Sequence, residues 1–172
     1  MKKALLLVLA LSVMAVSMLG GCSGTAPASS QTTENAAEDV ENLDNGGDKT
    51  IGVVFYSKTD ALGSVVYALV NEAAKAWGVN VKWEIGGLDN DTQLNSVQNL
   101  ISGGVDGIVI IPLADTVTQK TSEMCEKAGV YFSLCFRDII DDTIRQQVTA
   151  NPYFVGMTFE ADYDAAKGMG KV

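Results

Sequence analysis

Short apolar runs alternate with longer amphipathic stretches along the chain after residue 48. Five runs have the length and β-branched content of buried strands: residues 51–56, 79–85, 105–112, 130–135 and 153–157. The stretches between the first four runs carry apolar residues at helical spacing, and each ends at a glycine stop signal: Gly78, Gly103 and Gly129. Alternation of strands with helices predicts right-handed βαβ units in a parallel sheet. We therefore expect an α/β fold with about five parallel strands and helices on both faces.

The first predicted helix is marked by apolar residues that recur at helical spacing. The members of this apolar stripe are Val65, Val66, Leu69, Val70, Ala73, Ala74 and Trp77. A last helical segment is predicted from Ala161 to Gly170, after the fifth strand.

The first 21 residues have the pattern of a secretory signal. Lys2 and Lys3 precede an apolar run, Ala4 to Leu19, whose 16 residues are few for a membrane-spanning helix. The following Leu-Gly-Gly-Cys resembles the bacterial lipobox, in which the cysteine becomes the lipidated first residue. This pattern predicts a lipoprotein signal peptide over residues 1–21 and lipidation at Cys22, which would anchor the chain to the outer face of the cell membrane.

Residues 22–48 are rich in Ser, Thr, Ala, Asn and Gly and poor in large apolar side chains. Such a segment cannot bury enough surface to offset its ordering entropy. The composition predicts a flexible tether over 22–48, followed by one folded unit over 49–172.

The overall composition excludes several classes of function. The chain has 172 residues and a formal net charge of −9, which argues against binding to nucleic acid. It has no histidine, so Ser-His-Asp and Cys-His nucleophile pairs and HExxH zinc sites are excluded. We expect no enzymatic activity, no metal and no cofactor.

Three segments together resemble a known family. They are Asp91-Thr92-Gln93, the block from Leu100 to Pro112 with its Gly-Val-Asp-Gly-Ile core, and Ala128-Gly129-Val130. The pattern is similar to that of type I periplasmic sugar-binding proteins, the ribose- and galactose-binding group of ABC importers. It is shared by lactose-repressor-type transcription factors, which carry a helix-turn-helix where this chain has a signal-like segment. The resemblance implies the N-terminal lobe of such a receptor, a flavodoxin-like sheet with its ligand site at the carboxyl ends of the strands.

The loop after the first strand offers Ser57 and Asp60 as hydroxyl-recognising groups. Alternatively, Asp60 or Ser64 caps the following helix. In the resembled receptors this loop carries an Asn and two aromatic residues that sandwich a sugar. Here Asp60 takes the Asn position, and Leu62 and Gly63 take the aromatic positions, so the paired rings are missing.

The loop after the fourth strand begins with Phe136 and Arg137, where the family has Asp-Arg contacting ligand hydroxyls. The resemblance implies that Arg137 donates to the ligand. Phe136 replaces the family's Asp, and we expect it to supply the ring face that the first loop lacks. The alternative is that Phe136 belongs to the core and Arg137 pairs with Asp138, Asp141 or Asp142.

Three further residues complete the predicted ligand set. Thr158 and Phe159 follow the fifth strand, where the family has Asp-Asn. Asp115, after the third strand, either accepts a ligand hydroxyl or caps the next helix. For Cys125 and Cys135, buried thiols are favoured over a disulfide.

These features favour a lipid-anchored receptor that delivers a sugar-like polar solute to an ABC permease. A sensory module for a membrane kinase or chemoreceptor is one alternative. A secreted flavodoxin-like enzyme with Asp60 as its base is the other. Five strand signals account for one lobe, so we expect a truncated gene product with half a ligand site, or else a one-lobe protein that dimerises.

Overall fold

The computed structural model describes residues 41–159 and Lys167. The chain divides into two units, Met1–Glu34 and Asn35–Val172, and every described residue lies in the second. The predicted signal peptide, the lipidation site at Cys22 and most of the predicted tether lie outside the described residues. The helix predicted from Ala161 to Gly170 also lies outside them, apart from Lys167, which is helical and exposed.

Strands and helices alternate through the described residues. In chain order they are β1 (Thr50–Phe55), α1 (Ala61–Trp77), β2 (Asn80–Ile85), α2 (Asn90–Ser102), β3 (Gly107–Ile110), α3 (Asp115–Ala128), β4 (Tyr131–Leu134), α4 (Asp142–Ala150) and β5 (Phe154–Met157). The five predicted strands are confirmed, most with shorter bounds. The nine-residue helix α4 was not predicted from the sequence.

The five strands form one sheet in the order β2-β1-β3-β4-β5, and all of its strand pairs are parallel. The α/β class with a five-stranded parallel sheet is therefore confirmed. Strand β2 lies on one side of the central β1–β3 pair, and β4 and β5 lie on the other side. The chain therefore leaves β1 and β3 toward opposite sides of the sheet, and the loops after these two strands diverge. This divergence is the switch point at which ligands bind in open α/β sheets.

One face of the sheet is covered by α2, α3 and α4. The strands contribute alternate side chains to the core on this side, including Val54, Ile108, Ile110, Phe132 and Leu134. The helices pack Val97, Leu100, Val117, Cys125 and Val148 against them. Helix α4 joins this layer through Val148, which is fully buried, and Ile144, which packs against the cluster.

The other face is covered by α1 alone among the described helices. Val66 and Ala74 are buried there with Val53, Phe55 and Trp83 of the sheet. Other members of the apolar stripe remain accessible: Val65, Leu69 and Trp77 are 54%, 64% and 78% exposed. A helix that contacts one layer buries only part of a broad stripe.

Residues 42–47, which the sequence places in the tether, are bonded to the edge strand β2. Leu43 forms an antiparallel bridge with Val81, and the Asn42 side chain accepts a hydrogen bond from the Trp83 amide at 2.9 Å. Asn45 donates from its side chain to the Val79 carbonyl at 2.7 Å. An edge strand exposes unpaired amides and carbonyls, and these short polar side chains satisfy them. The ordered unit therefore begins before Lys49.

None of the described helices has the length and apolar character required to span a membrane.

Candidate functional site

All five strands end at the same edge of the sheet because they are parallel. The segments that follow β1, β3, β4 and β5 bring every ligand-binding residue predicted from the sequence to this edge. The edge is therefore the candidate site, and the loops after β1 and β3 flank its central crevice.

Ser57 and Asp60 organise the loop between β1 and α1. The Ser57 hydroxyl oxygen accepts from the amide of Thr59 at 3.1 Å and from that of Asp60 at 3.4 Å. Asp60 is the N-cap of α1, and its Oδ1 accepts from the Gly63 amide at 2.6 Å. The capping alternative for Asp60 is therefore confirmed, and its ligand role remains a prediction.

The aromatic positions of the resembled family have no counterpart in this loop. Gly63 packs so closely on the loop that a Cβ built there would overlap the Ser57 carbonyl oxygen. Leu62, beside it, is 41% exposed at the start of α1. This side of the site offers an aliphatic surface and short polar groups.

Tyr56 lies at the base of the same loop and was not singled out from the sequence. Burial raises the pKa of its phenol, and the charge of Asp60 and a hydrogen bond to it add to the effect. The phenol therefore stays protonated and links the end of β1 to the cap of α1.

Gln93 holds the loop after β3, although it belongs to α2. Its side chain is fully buried; Nε2 donates to the Ile111 carbonyl at 2.9 Å, and Oε1 accepts from the Leu113 amide at 3.0 Å. The sequence pattern included Gln93 without a role for it. A glutamine on the apolar side of a predicted helix was the available signal, because a buried amide needs partners.

Asp115 does not cap α3, so that alternative is wrong. The N-cap residue is Ala114, which makes no side-chain cap bond, and Asp115 is the first residue of the helix. Asp115 Oδ2 instead accepts from the amides of Ile140 and Asp141, at 2.9 and 2.7 Å. These donors belong to the loop after β4, so Asp115 connects two neighbouring loops of the site.

Phe136 and Arg137 lie at the start of the loop after β4. Phe136 is 41% exposed and has a φ of 57°, a left-handed conformation that is uncommon for non-glycine residues. Arg137 is half-buried. Its buried Nε has no hydrogen-bond partner among the described residues, and Arg137 forms no ion pair with any of them. The alternative in which Phe136 is core and Arg137 pairs with a nearby aspartate is therefore wrong for the described residues.

Arg145, and not Arg137, forms the ion pair with Asp138. Its guanidinium lies 2.9 Å from Asp138 and also donates to the Ile139 carbonyl. The hydrogen bond from Arg145 holds the pKa of the Asp138 carboxyl below its usual value. Arg137 is thus left without an acidic partner among the residues that the structure describes.

Thr158 and Phe159 extend the site along β5. The Thr158 amide donates to the Leu134 carbonyl at 3.0 Å, so the pairing with β4 continues past the end of the strand. Phe159 is 49% exposed and follows the Leu134–Met157 pair by two residues, as Phe136 does on β4. Two exposed rings therefore follow neighbouring strand ends.

The two cysteines of the described part are free. Burial raises the pKa of both the Cys125 and the Cys135 thiols to about 12, so neither is a thiolate at neutral pH. The described residues contain no cluster of acidic or cysteine side chains suited to a metal ion.

The site has the groups to bind a polar molecule. A guanidinium offers several donors, the loops offer hydroxyl groups, and exposed phenylalanine rings suit the apolar face of a sugar ring.

Several solved structures share this fold. The solute-binding protein of Actinobacillus succinogenes 130z with bound D-allose has a TM-score of 0.53 and 16% identity, over 59% of this chain and 36% of that chain. The binding protein of the arabinose ABC transporter from Shewanella sp. ANA-3, bound to L-arabinofuranose, has a TM-score of 0.50 and 22% identity. The match covers 56% of this chain and 32% of that chain. The periplasmic ribose ABC transporter structure from Conexibacter woesei DSM 14684 has a TM-score of 0.50 and 17% identity. The match covers 56% of this chain and 32% of that chain. This chain thus spans about a third of their length.

No curated protein is significantly similar to this chain in sequence. The profile of a protein family does match, and it extends over residues 51–161, from β1 to beyond β5. This match confirms the family resemblance stated from the sequence. The chain belongs to the periplasmic binding protein domain family.

Proposed function

We propose that this chain forms the N-terminal lobe of an extracytoplasmic receptor that binds a sugar or a sugar-like polar solute for an ABC importer. The observation that supports this most directly is Arg137. It lies at the carboxyl edge of the sheet without an acidic partner among the described residues, beside the exposed ring of Phe136. Donor groups next to a ring face are the features with which proteins bind sugars.

The remaining parts of the proposal rest on family membership and on the sequence. The receptor would act by binding rather than by catalysis, and its protein partners would be the permease subunits of the importer. The lipobox-like sequence supports attachment to the outer face of the membrane through lipidated Cys22. The acidic net charge of −9 disfavours nucleic acid as a partner.

A thermal-shift screen tests the binding function. D-allose, L-arabinose, D-ribose and myo-inositol are the first probes, and solutes are added up to high millimolar concentrations because one lobe supplies contacts from one side only. A solute at about ten times its Kd should raise the free energy of unfolding by about 1.4 kcal/mol. Absence of stabilisation by a wide panel of polyols, sugars and sugar acids would contradict the proposal.

Replacing Arg137 tests the main contact. We expect Arg137→Ala to weaken binding of the solute found in the screen by about 2 kcal/mol, because its acceptors lose their donor. The melting temperature without solute should change little, since Arg137 makes no ion pair with a described residue.

Isothermal calorimetry measures the change, with Lys127→Ala as the control. Lys127 lies in the last turn of α3, at the end away from the site, so its removal should leave Kd unchanged. An equal Kd for Arg137→Ala and wild type would exclude Arg137 from the site.

A further inference from the structure

The loop from Phe136 to Asp141 follows β4 and carries two candidate contact residues, Phe136 and Arg137, and its first residue is strained. Phe136 is the one non-glycine residue with positive φ in the described part of the chain. A left-handed residue with a Cβ costs about 1 kcal/mol or more, so surrounding contacts must hold it in place.

Contacts from α4 hold the middle of this loop. Arg145 pairs with Asp138 and donates to the Ile139 carbonyl, and the Ile139 side chain is fully buried in the core. Asp138 Oδ1 also accepts from the Ile139 amide at 2.9 Å. These bonds are local, because all of their members lie within eight residues of one another.

Asp115 provides the long-range contact. Its Oδ2 accepts two consecutive amides of the loop, those of Ile140 and Asp141, which lie 25 and 26 positions further along the chain. Asp115 follows β3, whose own loop is held by Gln93 through Ile111 and Leu113. The loop after β4 is therefore tied to the neighbouring strand end, which is itself fixed to α2.

We infer that Asp115 is a positioning residue of the candidate site. It sets the conformation in which Phe136 and Arg137 are presented, and it acts through the main chain of the loop rather than by contacting the solute. The loop conformation is a property of the protein alone, whereas its importance for binding rests on the proposed function.

Two-dimensional NMR of the chain without solute provides the test. In Asp115→Ala we expect hydrogen exchange of the Ile140 and Asp141 amides to accelerate by about tenfold or more, since both lose their acceptor. The amide resonances of Phe136 and Arg137 should shift as well. Asp115→Asn keeps a side-chain oxygen acceptor and should restore both readouts.

Asp142→Ala is the matched control. Asp142 lies close enough to Arg145 to contribute to its raised pKa, but its carboxylate accepts from neither loop amide. Its removal takes away a nearby charge, while the hydrogen bonds from the Ile140 and Asp141 amides to Asp115 remain. The Phe136 and Arg137 resonances should therefore keep their positions. If Asp115→Ala does not fold, Asp115→Glu, which displaces the carboxylate by one methylene, provides the same readout.

Unchanged Phe136 and Arg137 resonances in the folded Asp115 variant would overturn the inference. Equal shifts in Asp115→Ala and Asp115→Asn would overturn it too, because charge and not the acceptor would then matter. The solute screen is a separate arm: if no probe stabilises the wild type, the binding function fails, whereas the NMR comparison still decides the role of Asp115. If a probe binds, its Kd should rise by about tenfold in Asp115→Ala and remain near the wild-type value in Asp115→Asn.

Discussion

Gln93→Ala should lower the free energy of unfolding by about 3 kcal/mol, because it removes a buried side chain and leaves two main-chain groups unpaired. The Ile111 carbonyl loses the donor at 2.9 Å and the Leu113 amide loses the acceptor at 3.0 Å. Urea denaturation followed by circular dichroism measures the change.

A second substitution separates the hydrogen bonds from the cavity. Gln93→Met has a similar volume and no amide, so it should cost about 2 kcal/mol from the unpaired groups alone. The difference between the two variants then reports the cavity left by alanine.

Gln98→Ala is the control for this prediction. Gln98 lies on the same helix and is exposed, and its side chain donates to the Ser102 hydroxyl at 3.2 Å, so its loss should change stability by less than about 0.5 kcal/mol. Equal losses of unfolding free energy in Gln93→Ala and Gln98→Ala would show that the hydrogen bonds of Gln93 do not stabilise the loop after β3.

Gly63→Ala should destabilise the protein by about 3 kcal/mol, because the new Cβ would overlap the Ser57 carbonyl oxygen. The neighbouring atom belongs to the main chain, so no rotamer change can relieve the overlap. Either the start of α1 or the loop after β1 must move, and the bond from the Gly63 amide to the Asp60 cap is lost with it. Thermal and urea unfolding measure the loss.

Ser64→Ala provides the neighbouring control, since Ser64 is exposed and bonds weakly to the Ala61 carbonyl at 3.3 Å. Its effect should stay within about 0.5 kcal/mol. A Gly63→Ala variant as stable as wild type would mean that this loop yields easily and that an aromatic residue could be accommodated there.

Local sequence patterns were sufficient to predict the framework of the site. Short β-rich runs between helices predict a parallel sheet, and parallel strands end at one edge, so Ser57, Arg137 and Thr158 could be assigned to that edge from the sequence. Helix stop signals were equally readable: Gly78 and Gly129 end α1 and α3 in the left-handed conformation with φ values of 64° and 70°.

The partners of polar side chains were not predictable in the same way. Asp115 has the sequence position of a helix cap, but its acceptor oxygen is used by amides 25 and 26 residues away. Arg137 and Arg145 lie in the same acidic stretch, and only the packing of α4 shows that Arg145 takes Asp138. A charged group can choose among several nearby partners, so the chain alone leaves the choice open.

The sequence by itself determined the class of fold, the edge that carries the site and the family, because these follow from hydrophobic period and short motifs. Tertiary structure decided which face of α1 is buried and which main-chain groups Gln93 and Asp115 bond. Each of these depends on contacts between segments far apart in the chain, and such contacts leave no period in the sequence.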